Sequence, residues 1–169
     1  MPPRRSAILP PDVRVRRATR ADLAALIALE NRVFRADRMS ARQWRRHLEN
    51  PGAEILVAAR GGDIVGAAVL FFHRSHRIAR LYSIAVSADA RGKGLGERLL
   101  AAAERAACRR GSTRLRLEVR ADNAAAQQIY ARRSYRLFGS RPGYYEDGRD
   151  ALRYEKALVR SGRDAPHGR

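Results

Sequence analysis

Apolar and polar residues alternate along the chain with two different periods, which predict strands in some segments and helices in others. A period of two, typical of strands with one buried face, appears at Val13–Arg16. It appears again where Leu115, Leu117 and Val119 alternate with charged residues. Gly61–Asp63 lies between two apolar runs and predicts a hairpin turn, because glycine tolerates positive φ. The other predicted strands are Glu54–Arg60, Ile64–Phe72, Ile78–Val86, Tyr135–Phe138 and Asp150–Leu158.

The helical period of three to four residues appears in four segments. Thr19–Asp22 and Ser40–Gln43 have the pattern of capping boxes, so each predicts the start of a helix. A long helix is predicted at Gly94–Arg110, where Gly111 ends it, and a further helix at Asn123–Arg133. The resulting order, β-α-α-β-β-β-α-β-α-β-β, predicts an α/β fold in which a mixed central sheet of about seven strands is flanked by about four helices.

The length of 169 residues is typical of one domain. We expect this domain at residues 13–159, between a proline-rich flexible arm at 1–12 and a flexible tail at 160–169. Cys108 is the only cysteine, which excludes a disulfide within the chain. The first residues lack the apolar core of a signal peptide and no apolar run reaches ~18 residues, so a cytoplasmic protein is expected.

The net charge of +18 comes from 35 basic and 17 acidic residues. The arm and the tail contribute +1 and +2, so residues 13–159 retain +15. A folded body with this charge suits a polyanionic ligand or partner. One alternative is a basic protein that contacts RNA, although the arginines are not interleaved with stacking aromatic residues. Another is that the charge reflects composition alone, because only Lys93 and Lys156 are lysines.

A glycine-rich turn carries the most specific chemical signal. The apolar strand Ile84–Val86 is followed by Arg91–Gly96, with the sequence RGKGLG, and then by the long predicted helix. Backbone amides at a helix start, with the helix dipole and two cationic side chains, favour a phosphate group. The dinucleotide pattern G-x-G-x-x-G fails because Glu97 stands where its last glycine is needed, and the P-loop pattern fails because no Lys-Ser or Lys-Thr follows Gly96.

What remains is the R-x-x-G-x-G pattern, which resembles the pyrophosphate-binding segment of the GCN5-related N-acetyltransferase (GNAT) superfamily. The segments Leu81–Gly96, Leu117–Tyr135 and Gly139–Ala151 together resemble its ribosomal-protein alanine N-acetyltransferase (RimI-like) branch. The resemblance spans about Val13–Leu158 and implies the single-domain GNAT fold, with acetyl-CoA as co-substrate. No metal is expected, because the four histidines lack metal-ligand spacing with acidic or cysteine partners. The residues it implies for acetyl-CoA are Ile84, Ala85, Val86, Arg91, Gly92, Lys93, Gly94, Leu95, Gly96 and Asn123.

The same resemblance implies the catalytic pair. Leu117–Asn123 matches the L-E-V-R-x-x-N run of the family, which gives Glu118 the role of general base. Tyr130 matches the family's general acid, and backbone amides near Val86 match an oxyanion site. Arg116 and Arg120 lie two residues away on the same strand face, and if they are near they weaken Glu118 as a base. The alternatives are a glutamate that only balances two arginines and a tyrosine that only fills the core.

The acceptor side is less specific. Tyr144 and Tyr145 lie in an R-x-x-Y-Y pattern that resembles the peptide-groove loop of the RimI-like branch, and Tyr82 at the strand entry is a further candidate substrate contact. Ser134 and the segment Asp37–Ser40 depart from the family pattern. Because of these departures, the ribosomal protein itself is not assigned as the acceptor. The resemblance as a whole leads us to expect an acetyltransferase that acts, by direct attack in a ternary complex, on a primary amine, in the first place a protein or peptide N-terminus.

Two alternatives stay open: acetylation of lysine side chains or small amines, and a non-catalytic acyl-CoA-binding module. The expected partners are acetyl-CoA and the amine acceptor. We expect no membrane partner, nucleic acid only through a ribosomal partner, and a monomer or homodimer.

Overall fold

The described part of the chain, residues 12–159 of a computed structural model, is built around one seven-stranded sheet with the order β1-β2-β3-β4-β5-β7-β6. The strands are β1 (Val13–Arg17), β2 (Ala53–Arg60), β3 (Asp63–Phe71), β4 (Ile78–Val86), β5 (Arg114–Arg120), β6 (Arg136–Arg141) and β7 (Ala151–Ala157). The helices are α1 (Leu23–Val33), α2 (Ala41–Glu49), α3 (Leu95–Arg109) and α4 (Ala124–Arg132). The predicted α/β class and order of elements are confirmed.

The sheet is mixed. Its neighbouring strands pair antiparallel, except that β4 and β5 pair parallel. Parallel neighbours require a crossover connection, and α3 supplies it between these two strands. The helix therefore begins beside the carboxyl end of β4, which places the glycine-rich turn next to the centre of the sheet.

Apolar side chains cover the two sides of the sheet over different strands. On one side, α3 packs Leu99 and Leu100 against a cluster that includes Leu115 and Leu117 of β5. On the other side, a cluster that includes Trp44 of α2 covers β2, β3 and part of β4. Alternate residues of β5 point toward this second side, in a region that the cluster with Trp44 does not cover. We call the side-chain surface of β5, β7 and β6 on this side the open sheet face.

Three local predictions can be compared with the structure. Ser40 and Gln43 form the expected capping box, in which Gln43 N donates to Ser40 Oγ at 3.2 Å. Gly111 follows α3 with φ of +82°. The residues from Gly139 onward, predicted as loop, instead extend β6 to Arg141, because a register shift between Leu137 and Gly139 conceals the alternation.

The predicted tail at 160–169 and the predicted arm, apart from Asp12, lie outside the described residues. Within residues 12–159, the helices are too short or too polar to cross a membrane.

Candidate active site

An opening between β4 and β5 forms the centre of the candidate site. The two strands pair only over Ile78–Leu81 and Arg114–Leu117, although β4 continues to Val86. On its other side β4 has a bulge at Tyr82, since Leu81 and Ser83 pair with consecutive residues of β3. The strands therefore separate after Leu81, and the second half of β4 presents a backbone edge that β5 does not pair. The predicted residues Ile84, Ala85 and Val86 lie on this edge.

The glycine-rich turn lies at the end of that edge. Gly92 and Gly94 have φ of +76° and +78°, values that side chains strongly disfavour. A Cβ at Gly92 would meet nothing within 4 Å, and one at Gly96 would meet only Val86 Cγ2 at 4.0 Å. The first hydrogen bond of α3 runs from Arg98 N to Gly94 O, so the amides of Leu95, Gly96 and Glu97 precede the intrahelical ladder. The turn is thus accessible and suited to an anionic group.

Side chains stabilise this turn by hydrogen bonds and add charge to it. Arg91 Nε donates to Val86 O at 3.1 Å, which ties the turn back to the strand. Asp89 accepts from Ser87 Oγ at 2.8 Å and from Arg60 Nη2 at 2.6 Å. These two hydrogen bonds lower the pKa of Asp89, Ser87 contributing most. Lys93 is exposed. The residues predicted for a diphosphate therefore form one continuous, positively charged rim.

Glu118 lies on the open sheet face with only 7% of its side chain exposed. Arg80 Nε of β4 donates to its Oε2 at 3.1 Å. On the other oxygen, Arg153 Nε of β7 lies at 3.6 Å and Arg141 Nε of β6 at 3.9 Å. One carboxylate is therefore surrounded by three guanidinium groups, which come from three different strands.

The two arginines that the sequence placed near Glu118 pair elsewhere. Arg116 Nε donates to Glu155 at 2.5 Å. Arg120 pairs with Asp147 and, at 3.3 Å, with Asp122. Arg116 and Arg120 share the strand face of Glu118, but their ion pairs are with other carboxylates.

The predicted substrate tyrosines lie beside this carboxylate. Arg80 Nη2 donates to Tyr144 Oη at 2.7 Å, so one arginine joins Tyr144 to Glu118. The rings of Tyr144 and Tyr145 meet edge to face with centroids 5.0 Å apart. Arg120 lies over the Tyr145 ring at 4.8 Å. The loop after β6 therefore forms an aromatic wall along the open sheet face.

Tyr82 belongs to a second aromatic group on the opposite side of Arg80. Its ring is 39% exposed and lies 4.9 Å from the ring of Phe71 and 6.1 Å from that of His47. The Nδ1 atom of His47 is buried without a hydrogen-bond partner. Burial lowers the pKa of His47, with Arg46 adding to the effect. This imidazole is therefore held neutral at the edge of the candidate site.

Tyr130 lies on α4 and belongs to the apolar core. It is 6% exposed and packs against Tyr135 and Tyr154, with ring centroids at 5.5 and 5.9 Å. Burial raises its pKa to about 12, and Tyr145 contributes. Burial likewise raises the pKa of Tyr145 to about 12, with smaller contributions from Tyr144 and Glu118. Tyr130 is therefore a protonated phenol at neutral pH.

Asn123 has a structural role in this arrangement. Its Oδ1 accepts from Ala126 N at 3.1 Å and caps α4, the helix that carries Tyr130. Contact between Asn123 and a cofactor stays a prediction. Among residues 12–159, no group of three histidine, cysteine or acidic side chains is placed to hold a metal ion.

Sequence patterns did not reveal Arg80, Arg153 or His47 as site residues. Alternation shows that Arg80 and Arg153 leave the core side of their strands, but it does not show which strands are neighbours. His47 carries a weak signal, since it is a polar residue on a short helix that also carries buried Trp44. Sheet order and register bring these residues together.

Comparisons with known proteins show to which family the chain belongs. The family model described as the acetyltransferase (GNAT) family matches residues 22–135. A Bacillus subtilis protein, named as a candidate ribosomal protein bS18-alanine N-acetyltransferase, is 36% identical over 106 residues, which cover 62% of this chain and 69% of that protein. A Streptomyces bingchenggensis mycothiol acetyltransferase is 35% identical over 48% of this chain but only 27% of its own length.

Among solved structures, the ribosomal-protein-S18-alanine N-acetyltransferase of Escherichia coli has a TM-score of 0.79 and 26% identity. The match covers 90% of this chain and 98% of that chain. The ribosomal-protein-alanine N-acetyltransferase of Brucella melitensis has a TM-score of 0.74 and 28% identity, over 86% of this chain and 99% of its own. With the family model matching more than half of the residues, the chain belongs to the acetyltransferase (GNAT) family and is an N-acetyltransferase.

Proposed function

We propose that the protein uses acetyl-CoA as acetyl donor and acetylates the α-amine of a protein or peptide N-terminus by direct attack in a ternary complex. The observation that carries the proposal is the opening after Leu81. It lies between the accessible glycine turn on one side and Glu118 with its tyrosine wall on the other. A thioester held along the edge of β4 would therefore face an acceptor on the open sheet face.

The donor would be held mainly by backbone groups. The unpaired edge at Ile84–Val86 offers amide and carbonyl groups to the amides of the pantetheine arm. The amides that begin α3, with Arg91 and Lys93, would hold the diphosphate. Asn123 is the remaining proposed donor contact. GNAT enzymes generally use acetyl-CoA, and the residues at this turn fit its anionic half.

The reaction needs a neutral amine and a proton for the leaving thiolate. An α-amine has a pKa near ~8, so at neutral pH most of it must lose a proton before attack. Glu118 would accept that proton, directly or through a water, and the amine nitrogen would attack the thioester carbonyl. The carbonyl oxygen would gain charge beside backbone amides near Val86. The carbon–sulfur bond would then break, and the sulfur would leave as coenzyme A once it is protonated. The positively charged nitrogen would release its second proton to solvent to form the amide, and the tyrosine that protonated the sulfur would recover a proton from solvent.

Tyr130 would protonate the departing sulfur. Its pKa of about 12 lies well above the ~8.5 of a thiol, so complete transfer to a free thiolate is unfavourable. The proton must therefore move as the carbon–sulfur bond breaks.

Support for an N-terminal acceptor comes from the tyrosine wall and from the relatives. Tyr144 and Tyr145 offer flat apolar surfaces with polar tips, which suit a peptide end. The relatives of Bacillus subtilis, Escherichia coli and Brucella melitensis are all named for acetylating an alanine of a ribosomal protein.

The test is acetyl-CoA-dependent thiol release with matched acceptors. One peptide has a free α-amine and no lysine, a second is N-terminally blocked with one lysine, and a third set contains small amines. We expect turnover with the free α-amine. Turnover with lysine or small amines alone would overturn the N-terminal assignment. Acetyl-CoA binding without turnover on any acceptor would indicate a binding module, and no binding of acetyl-CoA would overturn the proposed donor.

A further inference from the structure

The open sheet face holds more positive charge around Glu118 than that carboxylate can balance. Arg80, Arg141 and Arg153 all lie within 4 Å of its oxygens, as given by distances of 3.1, 3.9 and 3.6 Å. One carboxylate against three guanidinium groups leaves a local surplus of two positive charges. A buried glutamate needs only one such partner to be paired, so the other two arginines call for a different explanation.

The acidic side chains nearby are already engaged. Glu155, one step along the sheet, pairs with Arg114 and Arg116, both at 2.5 Å. Asp122 and Asp147 pair with Arg120, and Asp37 lies 3.9 Å from the same guanidinium. Within residues 12–159, none of these four carboxylates forms an ion pair with Arg141 or Arg153. Glu118 is therefore the one acidic partner that both arginines have in this part of the chain.

The surplus arginines are accessible and held in place. Their side chains are 45% exposed at Arg141 and 26% exposed at Arg153. The guanidinium of Arg153 lies over the Phe138 ring at 4.7 Å, and that of Arg141 lies 5.8 Å from the Tyr144 ring. Cation–π contact with these rings favours the observed positions of both guanidinium groups, which reduces the entropy lost when they bind a ligand.

We propose that the acceptor carries a carboxylate within one or two residues of its reactive amine, and that Arg141 and Arg153 bind that carboxylate. This inference rests on the proposed function, because it places the acceptor amine at Glu118. Planar guanidinium groups match carboxylates in two-point hydrogen bonds, which makes arginine pairs selective for this chemistry. An acceptor with cationic residues next to its amine would be repelled by the same surface.

The carboxylate has two possible sources, which matched acceptors distinguish. In the first arm, amidated peptides that begin Ala-Asp and Ala-Asn differ only in a side-chain charge. In the second arm, Ala-Gly with a free carboxyl end is compared with its amide. We expect kcat/KM to be about tenfold to a hundredfold higher for the carboxylate member of one pair, as charge-assisted hydrogen bonds allow. The pair that shows the effect identifies the source.

Variants then assign the effect to residues. Arg153→Gln and Arg141→Gln should each reduce the carboxylate preference, mainly through a higher KM for the carboxylate acceptor. Arg153→Lys keeps the charge but lacks the planar fork, so it should restore part of the preference and serves if the glutamine variant does not fold. Arg105→Gln is the matched control, because Arg105 is an exposed arginine of α3, on the other side of the sheet. It should leave the preference intact.

The possible failures can be distinguished. Equal kcat/KM for both members of both pairs would overturn this inference and leave the proposed function standing. The same holds if Arg105→Gln reduces the preference as much as Arg153→Gln, since the effect would then belong to net charge. Absence of turnover with every acceptor would overturn the proposed function and this inference together.

Discussion

The proposed donor and acceptor halves of the site are built in opposite ways. The donor half is the turn Arg91–Gly96 with the edge of β4, a nearly continuous stretch of chain whose groups are mainly backbone amides. The acceptor half gathers single side chains from β4, β5, β6 and β7 around Glu118. Backbone geometry can be kept by many sequences provided that the glycines remain. The acceptor surface changes with any one of a few arginines, so the two halves can change independently.

The largest effect is expected when the carboxylate of Glu118, at the centre of the acceptor half, is removed. Glu118→Gln should lower kcat by about 10²- to 10⁴-fold with little change in acetyl-CoA affinity, because the general base is lost and the turn is untouched. The deficit should be greatest at low pH, where most of the amine is protonated. A pH–rate profile of thiol release measures it, and a profile that overlays the parent's would remove Glu118 from the role of base.

Glu155→Gln provides the control for that variant. Glu155 lies on the same open sheet face, is 8% exposed and pairs with two arginines, so its substitution removes an equally buried carboxylate. We expect a lower melting temperature with turnover close to the parent's. Equal loss of turnover in both variants would mean that the face responds to charge in general.

The second test concerns Tyr130, the proposed proton donor for the leaving thiolate. Tyr130→Phe should lower kcat by about tenfold to a hundredfold while acetyl-CoA still binds, since the proton for the thiolate is lost. Turnover assays and direct titration of acetyl-CoA separate the effect on kcat from the effect on acetyl-CoA binding. Tyr135→Phe is the matched control, because Tyr135 is buried beside Tyr130 but its hydroxyl donates to Glu104 at 3.0 Å. It should cost about 1 kcal/mol of stability and little activity.

The third test acts on the donor half alone. Gly94→Ala places a side chain at φ of +78°, which should cost about 1–2 kcal/mol and shift the amides that begin α3. Acetyl-CoA affinity should fall about tenfold, while the KM for the acceptor stays near the parent's.

Gly111→Ala is its control, since Gly111 has φ of +82° at the other end of the same helix. Similar destabilisation with unchanged acetyl-CoA affinity is expected there. Weaker acetyl-CoA binding in both variants would trace the effect to the stability of α3 rather than to the turn.

The smallest effect concerns the alkaline side of the pH profile. Because burial raises the pKa of Tyr130 from 10 to about 12, the phenol should remain protonated up to about pH 11. Turnover should therefore show no alkaline loss from Tyr130 between pH 8 and 10, and the parent and Tyr130→Phe should have parallel profiles there. A decline in the parent alone, with an apparent pKa near 10, would contradict the buried phenol as proton donor.

The sequence located the elements of the proposed donor half better than the side chains of the proposed acceptor half, and the reason is distance along the chain. The strand, the turn and the helix start that form the donor half are consecutive, so a local pattern contains all of them. The acceptor half depends on register. Residues two apart on one strand are about 7 Å apart, whereas directly opposite residues on neighbouring strands are about 5 Å apart. Arg153, which pairs in register with Glu118, therefore reaches it before Arg116 or Arg120 does.

The bulge at Tyr82 also changes which residues of β4 face each side of the sheet. Before the bulge, Ala79 and Leu81 point toward the layer that contains α3, whereas after it Ala85 points toward the layer that contains Trp44. A strand without a bulge would keep all three of these odd-numbered residues on one side. One inserted residue thus reverses the side of the sheet toward which each later residue of the strand points. Deletion of that residue would exchange the neighbours of Ile84 and Ala85 between two layers, so this position tolerates a change of residue type far better than a change of length.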